Sequence, residues 1–140
     1  MQNIKYISPY KLIKGNPTDS GWDLKLVGEK SVILEPMETT LLHSGVFLEL
    51  PDNIEAQVRP KSSLSSQGVM VHFGTVDSGY RGEILVAMTN LTKGVIMLEV
   101  GRKIAQLVFQ EKTEVNLEKS DKIDKNTSRG EGGFGSTGKF

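Results

Sequence analysis

Short runs rich in Val, Ile, Leu and Thr recur along most of the chain, and Gly, Pro, Asn or Asp residues separate them at intervals of roughly ten residues. Apolar residues spaced three and four positions apart, the mark of an amphipathic helix, are scarce. Several runs alternate polar with apolar side chains, as a half-buried strand requires. The pattern predicts an all-β chain that folds as a jelly-roll-like β-sandwich of short antiparallel strands. The predicted strands are Ser31–Leu34, Thr39–Leu50, Glu55–Arg59, Val69–Phe73, Ile84–Asn90, Val95–Val100 and Ile104–Gln110.

The composition changes at Glu118. Beyond it Lys, Ser, Asp, Asn, Thr and Gly dominate, and so few sizeable apolar residues remain that the segment cannot build a core of its own. We therefore divide the chain into a jelly-roll core domain over residues 1–118 and a flexible, glycine-rich C-terminal arm over residues 119–140. A disordered terminus is the simpler interpretation, but the pattern from Arg129 to Lys139 is too specific for a solubilising tail.

Composition excludes several kinds of protein. The chain has 17 basic and 17 acidic side chains, which argues against a nucleic-acid binder that depends on bulk electrostatics. The absence of cysteine excludes a disulfide framework and a cysteine nucleophile, and His43 and His72 alone cannot supply a catalytic zinc set. No apolar run approaches the roughly 20 residues of a membrane span, and the N-terminus lacks a signal-peptide core. We expect no membrane association and a cytoplasmic location, or the host cytoplasm for a virus- or phage-encoded protein.

The arm combines consecutive glycines with donors suited to phosphate. Backbone N–H groups of adjacent glycines can face one concavity, to which Ser136 and Thr137 add hydroxyls and Arg129 adds a two-pronged guanidinium. The phosphate loop that ends in Gly-Lys-Ser or Gly-Lys-Thr is excluded, because Phe140 follows Lys139 where that loop needs Ser or Thr. Phe134 is a lone aromatic among the donors, which suggests a ring for stacking on a base. A glycine linker with a chance phenylalanine is the alternative.

A second group of donors runs from Arg59 to Ser63. Pro60 fixes the backbone just before the basic side chain of Lys61. The hydroxyls of Ser62 and Ser63 follow, and a helical turn capped at this point and running to Gln67 would direct free N–H groups at an anion. The arrangement favours a phosphate site, and a surface turn with a solvated lysine is the alternative.

The segment from Gly74 to Ile84 combines glycines with an acid and an aromatic. Gly74 and Gly79 bracket Asp77, which predicts a tight hairpin whose backbone approaches a ligand closely. Tyr80 follows on the same rigid element. The alternatives are that Asp77 only forms a turn and that Tyr80 is a core aromatic.

Other polar positions need partners. Gln106 lies in an apolar strand, where an unpaired amide is unfavourable, so we predict that it has a hydrogen-bond partner. Asp23 is a candidate either for contact with metal-bound water or for a structural salt bridge, and the sequence leaves both open. Arg81 and Glu83 are consistent with a surface ion pair of little energetic weight.

Five segments in the order SGWDL, RPKSSLSSQG, GTVDSGYRGEI, GRKIAQLVF and RGEGGFGSTG resemble the five motifs of the trimeric dUTP pyrophosphatases, or dUTPases. The resemblance covers residues 20–138. It implies a homotrimer in which each active site draws on all three chains, with the arm of one subunit closing over nucleotide held by the others. It also implies Mg²⁺-dependent hydrolysis of dUTP to dUMP and pyrophosphate, which limits uracil incorporation into DNA and supplies dUMP for dTMP synthesis.

The resemblance assigns roles by position. Asp77 matches the catalytic acid that binds the 3′-hydroxyl and orients the attacking water, and Tyr80 matches the aromatic that leaves no room for a 2′-hydroxyl. The hairpin around Phe73 and Gly74 matches the one whose backbone reads uracil, and Asp23 matches an acid that supports the metal–phosphate cluster through water. The other matched positions are Lys61, Ser62 and Gln106 for the phosphates, Arg129, Ser136 and Thr137 for the γ-phosphate, Phe134 for stacking on uracil, and Ser63, Val76 and Gly135 for further substrate contacts.

The sequence departs from the commoner family pattern in several places. Lys61 stands where the family usually has Arg, so a bidentate fork becomes a point charge. The stretch from Leu64 to Asp77 is shorter than in most bacterial relatives and closer in length to retroviral forms, which leaves the uracil-contacting residues open. Trp22 and Lys103 also differ from the usual residues, and we expect both differences to be tolerated.

Two other functions remain open at this point. A dCTP deaminase shares this fold, and ammonia release from dCTP would favour it. A nucleotide-sensing regulatory protein that binds dUTP and a protein partner is an alternative of a different class. The complete arm motif and the spacing from the hairpin to Asp77 and Tyr80 favour the pyrophosphatase.

Overall fold

Eleven short strands and one helical turn form the regular structure of this computed structural model, which describes all residues from 1 to 140. Every ladder between these strands is antiparallel, so the all-β prediction is confirmed. The elements are β1 (Lys5–Ile7), β2 (Trp22–Lys25), β3 (Val32–Leu34), β4 (Thr39–His43), β5 (Phe47–Glu49), β6 (Ile54–Arg59), α1 (Ser62–Ser65), β7 (Val69–Val71), β8 (Gly74–Val76), β9 (Leu85–Asn90), β10 (Ile96–Leu98) and β11 (Lys103–Glu111).

Two larger sheets carry most of the fold. One has the strand order β2-β11-β6-β8 and the other has the order β4-β9-β7, while β1 pairs with β5 and β3 with β10. In β6 the buried side chains of Ile54, Ala56 and Val58 alternate with partly exposed polar ones, because successive side chains point to opposite faces of a strand. Apolar side chains from all four sheets meet in one core of 22 buried residues, as a β-sandwich requires.

The predicted strand Thr39–Leu50 is wrong as a single strand. The chain turns at residues 44–46 and forms β4 and β5 instead. Gly45 has a positive φ of 70°, and a Cβ at this position would lie 2.8 Å from Cδ of Pro9. Gly45 therefore separates β4 from β5, although polar and apolar residues alternate through this segment as they would in one long strand.

The predicted hairpin around Phe73 and Gly74 is wrong in its pairing. Strand β7 pairs with β9, whereas β8 pairs with β6 in the other large sheet. The two residues between β7 and β8, His72 and Phe73, thus carry the chain from one sheet to the other. Strands β1, β2 and β8 were not predicted, and each has only three or four residues.

The C-terminal segment contains no strand or helix beyond β11. All hydrogen bonds made by residues 113–140 lie within that segment, and nearly all of its side chains are exposed. The only helix, α1, has four residues, and the structure holds no helix with the length and apolarity to cross a membrane.

Candidate active site

The turn after β8 carries Asp77 and Tyr80. Pairing with β6 holds the backbone in register up to Val76, and the Tyr80 N–H donates to the Asp77 carbonyl at 3.0 Å. A cavity of about 260 Å³ lies beside this turn. Four of the predicted site residues line it together: Gly74, Val76, Asp77 and Tyr80. The cavity is lined by Val58, Gly74, Thr75, Val76, Asp77, Tyr80, Glu83, Ile84 and Leu85.

The side chains of Arg81 and Lys112, to which the sequence assigned no role in the site, hold this turn by hydrogen bonds. The Arg81 guanidinium donates to the Ser78 carbonyl at 2.6 Å and to the Leu50 carbonyl at 3.4 Å. The Lys112 ammonium donates to the Ser78 hydroxyl at 2.9 Å. Arg81 thus binds carbonyl groups, and the alternative of a surface ion pair between Arg81 and Glu83 does not form.

The Glu83 carboxylate faces the β4–β5 turn instead. Its two oxygens contact His43 Nδ1 at 2.9 Å and accept the Gly45 N–H at 3.0 Å. Burial alone would raise the pKa of Glu83, but the contacts with His43 and the Gly45 N–H outweigh it and lower this pKa below the ordinary 4.5. Glu83 is therefore held as a carboxylate next to the turn that carries Asp77.

A second cluster forms around the buried carboxylate of Asp23. Lys61 Nζ lies 2.6 Å from Oδ1 and Lys103 Nζ lies 3.0 Å from Oδ2, while the Asp23 side chain is only 4% exposed. Burial alone would raise the pKa of Asp23, but the two ammonium groups outweigh it and lower this pKa below 3.8. Of the two possibilities left open for Asp23, the structure contains the salt bridge.

Gln106 adjoins this cluster, because β11 pairs Gln106 with both Asp23 of β2 and Arg59 of β6. Its side-chain amide donates to the Pro60 carbonyl at 3.0 Å, so the predicted partner exists. A Cβ at Gly21 would overlap the Gln106 amide, which explains the glycine at that position. Gln106 therefore ties the segment that presents Lys61 to the central strand of the sheet.

Ser62 and Ser63 begin α1 and are exposed beside Lys61. The predicted helical turn is confirmed. At its predicted end, the Gln67 N–H donates to the Leu64 carbonyl at 3.1 Å. The predicted side-chain cap is wrong, because Lys61 occupies the N-cap position and no side chain bonds to the free N–H groups. These N–H groups remain available to a ligand.

The two clusters lie at opposite ends of the β6–β8 pair. The register joins Ala56 to Val76 and Val58 to Gly74, so Asp77 is level with Glu55 while Lys61 follows the other end of β6. At about 3.3 Å per residue, the four steps along β6 from the level of Asp77 to Arg59 span roughly 13 Å. One copy of the chain therefore does not bring Asp77 to the Lys61 cluster.

Phe73 lies near the Lys61 end of this pair. Its ring is 69% exposed, and the Arg59 guanidinium carbon is 5.9 Å from the ring centre. Arg59 Nε is buried without a hydrogen-bond partner, so the cation–π contact is the interaction that the structure gives this guanidinium. The sequence placed Arg59 in the second group of donors, and its contact with Phe73 could not be predicted from it.

The arm residues predicted to bind substrate lie apart from both clusters. Arg129 Nε donates to the Gly132 carbonyl at 2.9 Å, and the Ser136 N–H donates to the Gly133 carbonyl at 3.1 Å. The Phe134 ring is fully exposed, and this residue has a positive φ of 46°. Gly135, Ser136 and Thr137 are likewise exposed.

A family model described as dUTPase matches residues 11–138. The chain belongs to the dUTPase family. A protein of Clostridium novyi (strain NT) named deoxyuridine 5′-triphosphate nucleotidohydrolase is 42% identical over 139 residues, which cover 97% of this chain and 94% of that relative.

Solved dUTPase structures share the fold. A mutant dUTPase of Staphylococcus bacteriophage 80alpha with dUpNHpp has a TM-score of 0.90 at 22% identity, with 99% of each chain covered. A mutant dUTPase from phage phi11 of S. aureus, described for its coordination of a structural Mg(II) ion, has a TM-score of 0.79 at 20% identity, with 87% of this chain and 99% of that chain covered.

Proposed function

We propose that this member of the dUTPase family is a dUTP diphosphatase, which hydrolyses dUTP to dUMP and pyrophosphate. The observation that carries the proposal is the pairing of an acid-bearing pocket, at Asp77 and Tyr80, with a separate cationic cluster around Asp23. The name of the clostridial relative, which is aligned over almost the whole chain, supports the same activity. The product dUMP would supply dTMP synthesis, and removal of dUTP would limit uracil incorporation into DNA.

Asp77 supplies the base. Its carboxylate accepts a hydrogen bond from a water molecule and takes the proton as the water oxygen bonds to the α-phosphorus. The bond from the α-phosphorus to the bridging oxygen breaks, and its electron pair leaves with pyrophosphate. The turn is held by Arg81 and Lys112, so the carboxylate is positioned before substrate arrives.

The phosphates bind at the second cluster. The Lys61 ammonium donates to Asp23, and the Lys103 ammonium lies 3.0 Å from the same carboxylate, which leaves further hydrogens for phosphate oxygens. Ser62 and Ser63 add hydroxyls and the free N–H groups at the start of α1. Gln106 holds this segment in place through the Pro60 carbonyl and adds its own amide to the phosphate site.

The sugar and base occupy the cavity beside the Asp77 turn. The Tyr80 ring lies along one side of this cavity and would contact C2′ of the sugar, where a ribose carries a hydroxyl. The backbone from Phe73 through Gly74 to Val76 presents amide and carbonyl groups to the uracil edge. These are the contacts that separate dUTP from UTP and from dTTP.

Magnesium fits this site as part of the substrate. No group of three or more His, Asp or Glu side chains is arranged to hold a metal ion, and both oxygens of Asp23 contact lysines. Mg²⁺ commonly keeps several waters and binds substrate phosphates, so it needs few protein ligands. When bound, it would neutralise part of the triphosphate charge, with Asp23 reaching it at most through water.

A complete site needs more than one copy of the chain. The attacking water must come within about 3–3.5 Å of the α-phosphorus, whereas Asp77 and the Lys61 end of β6 are separated by roughly 13 Å along the strands. A homotrimer in which Asp77 of one copy faces Lys61 of another resolves this separation. The arm, residues 119–140, makes no hydrogen bond to its own core, so it is free to close over nucleotide with Phe134 on uracil and Arg129, Gly135, Ser136 and Thr137 at the phosphates.

The substrate test measures pyrophosphate release from dUTP, dTTP, dCTP and UTP, with Mg²⁺ and with excess chelator. We expect dUTP to exceed the other nucleotides by about 100-fold or more in kcat/KM. The 2′-hydroxyl of UTP and the methyl group of dTTP are sterically refused, and the cytosine edge of dCTP reverses the donor and acceptor groups that uracil presents. Chelation should lower the rate at least about tenfold. Ammonia release from dCTP would instead support the deaminase, and dUTP binding without pyrophosphate release would support a regulatory protein.

A further inference from the structure

Glu83 makes contacts with the end of β4, with the turn between β4 and β5, and with Tyr80. Its carboxylate, 23% exposed, contacts His43 at the end of β4 at 2.9 Å and accepts the Gly45 N–H in the following turn at 3.0 Å. Its backbone carbonyl accepts the Tyr80 hydroxyl at 2.7 Å. Glu83 thus connects the Tyr80 side chain with the turn between β4 and β5.

The backbone next to Glu83 is tied to the same turn. The Ile84 N–H donates to the Val46 carbonyl at 2.9 Å, and the buried Ser44 hydroxyl donates to the Ile84 carbonyl at 2.5 Å. The backbone that follows the Glu83 carbonyl is therefore anchored to the β4–β5 turn by both polar groups of Ile84. The acceptor of the Tyr80 hydroxyl is fixed by the protein core.

The Tyr80 ring is also packed against Gly82. A Cβ at this glycine would lie 2.5 Å from the Tyr80 hydroxyl oxygen and 2.7 Å from Cζ. Arg81 and Lys112 hold the turn at Ser78, whereas the Tyr80 side chain is itself 46% exposed. The ring orientation thus depends on the hydroxyl bond to Glu83 and on contact with Gly82.

We propose that Glu83, clamped by His43 and Gly45, is a positioning residue that sets the preference for deoxyribose by holding the Tyr80 ring against C2′ of the sugar. The inference rests on the proposed function, in which Tyr80 excludes the 2′-hydroxyl. Exclusion of one hydroxyl requires a ring fixed to within a fraction of an ångström, since a loose ring moves aside for the larger ribose. Glu83 supplies that rigidity through its backbone carbonyl, while its carboxylate bonds His43 and Gly45.

The test compares the ratio of kcat/KM for dUTP to that for UTP in wild type, Glu83→Ala and Glu83→Gln. We expect Glu83→Ala to lower this ratio roughly tenfold or more, because a displacement of about 1 Å in a positioned group costs up to about 100-fold. Glu83→Gln should keep most of the ratio, because its amide oxygen still accepts the Gly45 N–H. Glu49→Ala is the matched control, since Glu49 is an exposed carboxylate 3.8 Å from Lys5, and it should leave the ratio unchanged.

A merely structural role gives a different result. If Glu83→Ala lowers kcat/KM for dUTP and UTP by the same factor, the ratio is unchanged and the proposal is overturned. If that variant does not fold, Tyr80→Phe decides, because it keeps the ring and removes the donor to the Glu83 carbonyl. An unchanged ratio in folded Tyr80→Phe overturns the proposal, and a lowered ratio supports it.

Binding of dUDP and UDP separates this inference from the proposed function. The ratio of their Kd values measures the same sugar preference without hydrolysis, and we expect the variants to follow the order seen in kcat/KM. Wild-type protein that prefers dUDP but releases no pyrophosphate from dUTP contradicts the proposed function alone. Wild-type protein without a preference for dUDP overturns the role of Glu83.

Discussion

Asp23 determines how the ammonium groups of Lys61 and Lys103 are positioned in its cluster. The Lys61 and Lys103 side chains are 24% and 46% exposed, while the carboxylate between them is buried. Each ammonium has three hydrogens, so a lysine can bond Asp23 and still donate to a ligand. A lysine at position 61 gives a point charge in place of the bidentate fork of an arginine, and the second lysine adds another charge at the same carboxylate.

Replacement of Asp23 by Asn should destabilise the protein in a pH-dependent way. The folded-state pKa of Asp23 lies below its ordinary 3.8, so the ion pairs stabilise the fold above that pH and are lost as the pH falls through the folded value. Loss of one partner of a buried pair costs roughly 3 kcal/mol in free energy of unfolding. Urea unfolding of wild type and Asp23→Asn from pH 7 to pH 3 measures the difference.

We expect that difference to be largest at pH 7 and to shrink at the acid end of the series. Asp121→Asn is the control, since this aspartate lies in the exposed arm. A difference between wild type and Asp23→Asn that stays constant with pH would exclude the ion-pair explanation.

At the scale of elements, strands could be predicted where several residues alternate, as in β6, β9 and β11. The three missed strands have three or four residues, too few for a two-residue period to stand out, and partner strands determine their pairing. The break at Gly45 was hidden because a glycine fits into an alternating pattern. The course of the chain from β7 to β8 depends on sheet partners far away in the sequence, which a local turn signal cannot supply.

The arm should be dispensable for folding and required for catalysis. No hydrogen bond joins residues 113–140 to the rest of the chain, so truncation after Lys125 removes the arm motif without removing a core contact. We expect the melting temperature and the oligomeric mass of the truncated protein to match the full chain. Pyrophosphate release from dUTP should fall by a factor of about 100 or more, because Phe134 and the phosphate donors are absent.

Phe134→Ala in the full-length chain separates stacking from the other arm contacts. It should retain part of the activity that truncation removes. Wild-type turnover by the truncated protein would contradict closure of the arm over the site.

At the scale of the whole molecule, the sequence could propose candidate site residues but not their arrangement. The order of motifs assigns Asp77 and Lys61 to one nucleotide, yet their separation follows from the register of β6 against β8. The sequence left open a surface ion pair between Glu83 and the nearby Arg81, whereas the structure pairs Glu83 with His43, 40 positions away. Contacts between distant residues depend on sheet pairing, which one sequence does not contain.

Mixing two inactive variants tests the shared active site most directly. In Asp77→Asn the base is lost, and in Lys61→Ala a phosphate contact is lost, so each variant alone should hydrolyse dUTP at least about 100-fold more slowly than wild type. The two variants are unfolded, mixed in equal amounts and refolded, and native mass spectrometry verifies that the resulting oligomers contain both chains.

If each site takes Asp77 from one copy and Lys61 from another, random mixing leaves about one site in four with both residues intact. The mixture should then recover about a quarter of the wild-type rate of pyrophosphate release. Mixed oligomers that stay as inactive as the separate variants would contradict a site assembled between copies.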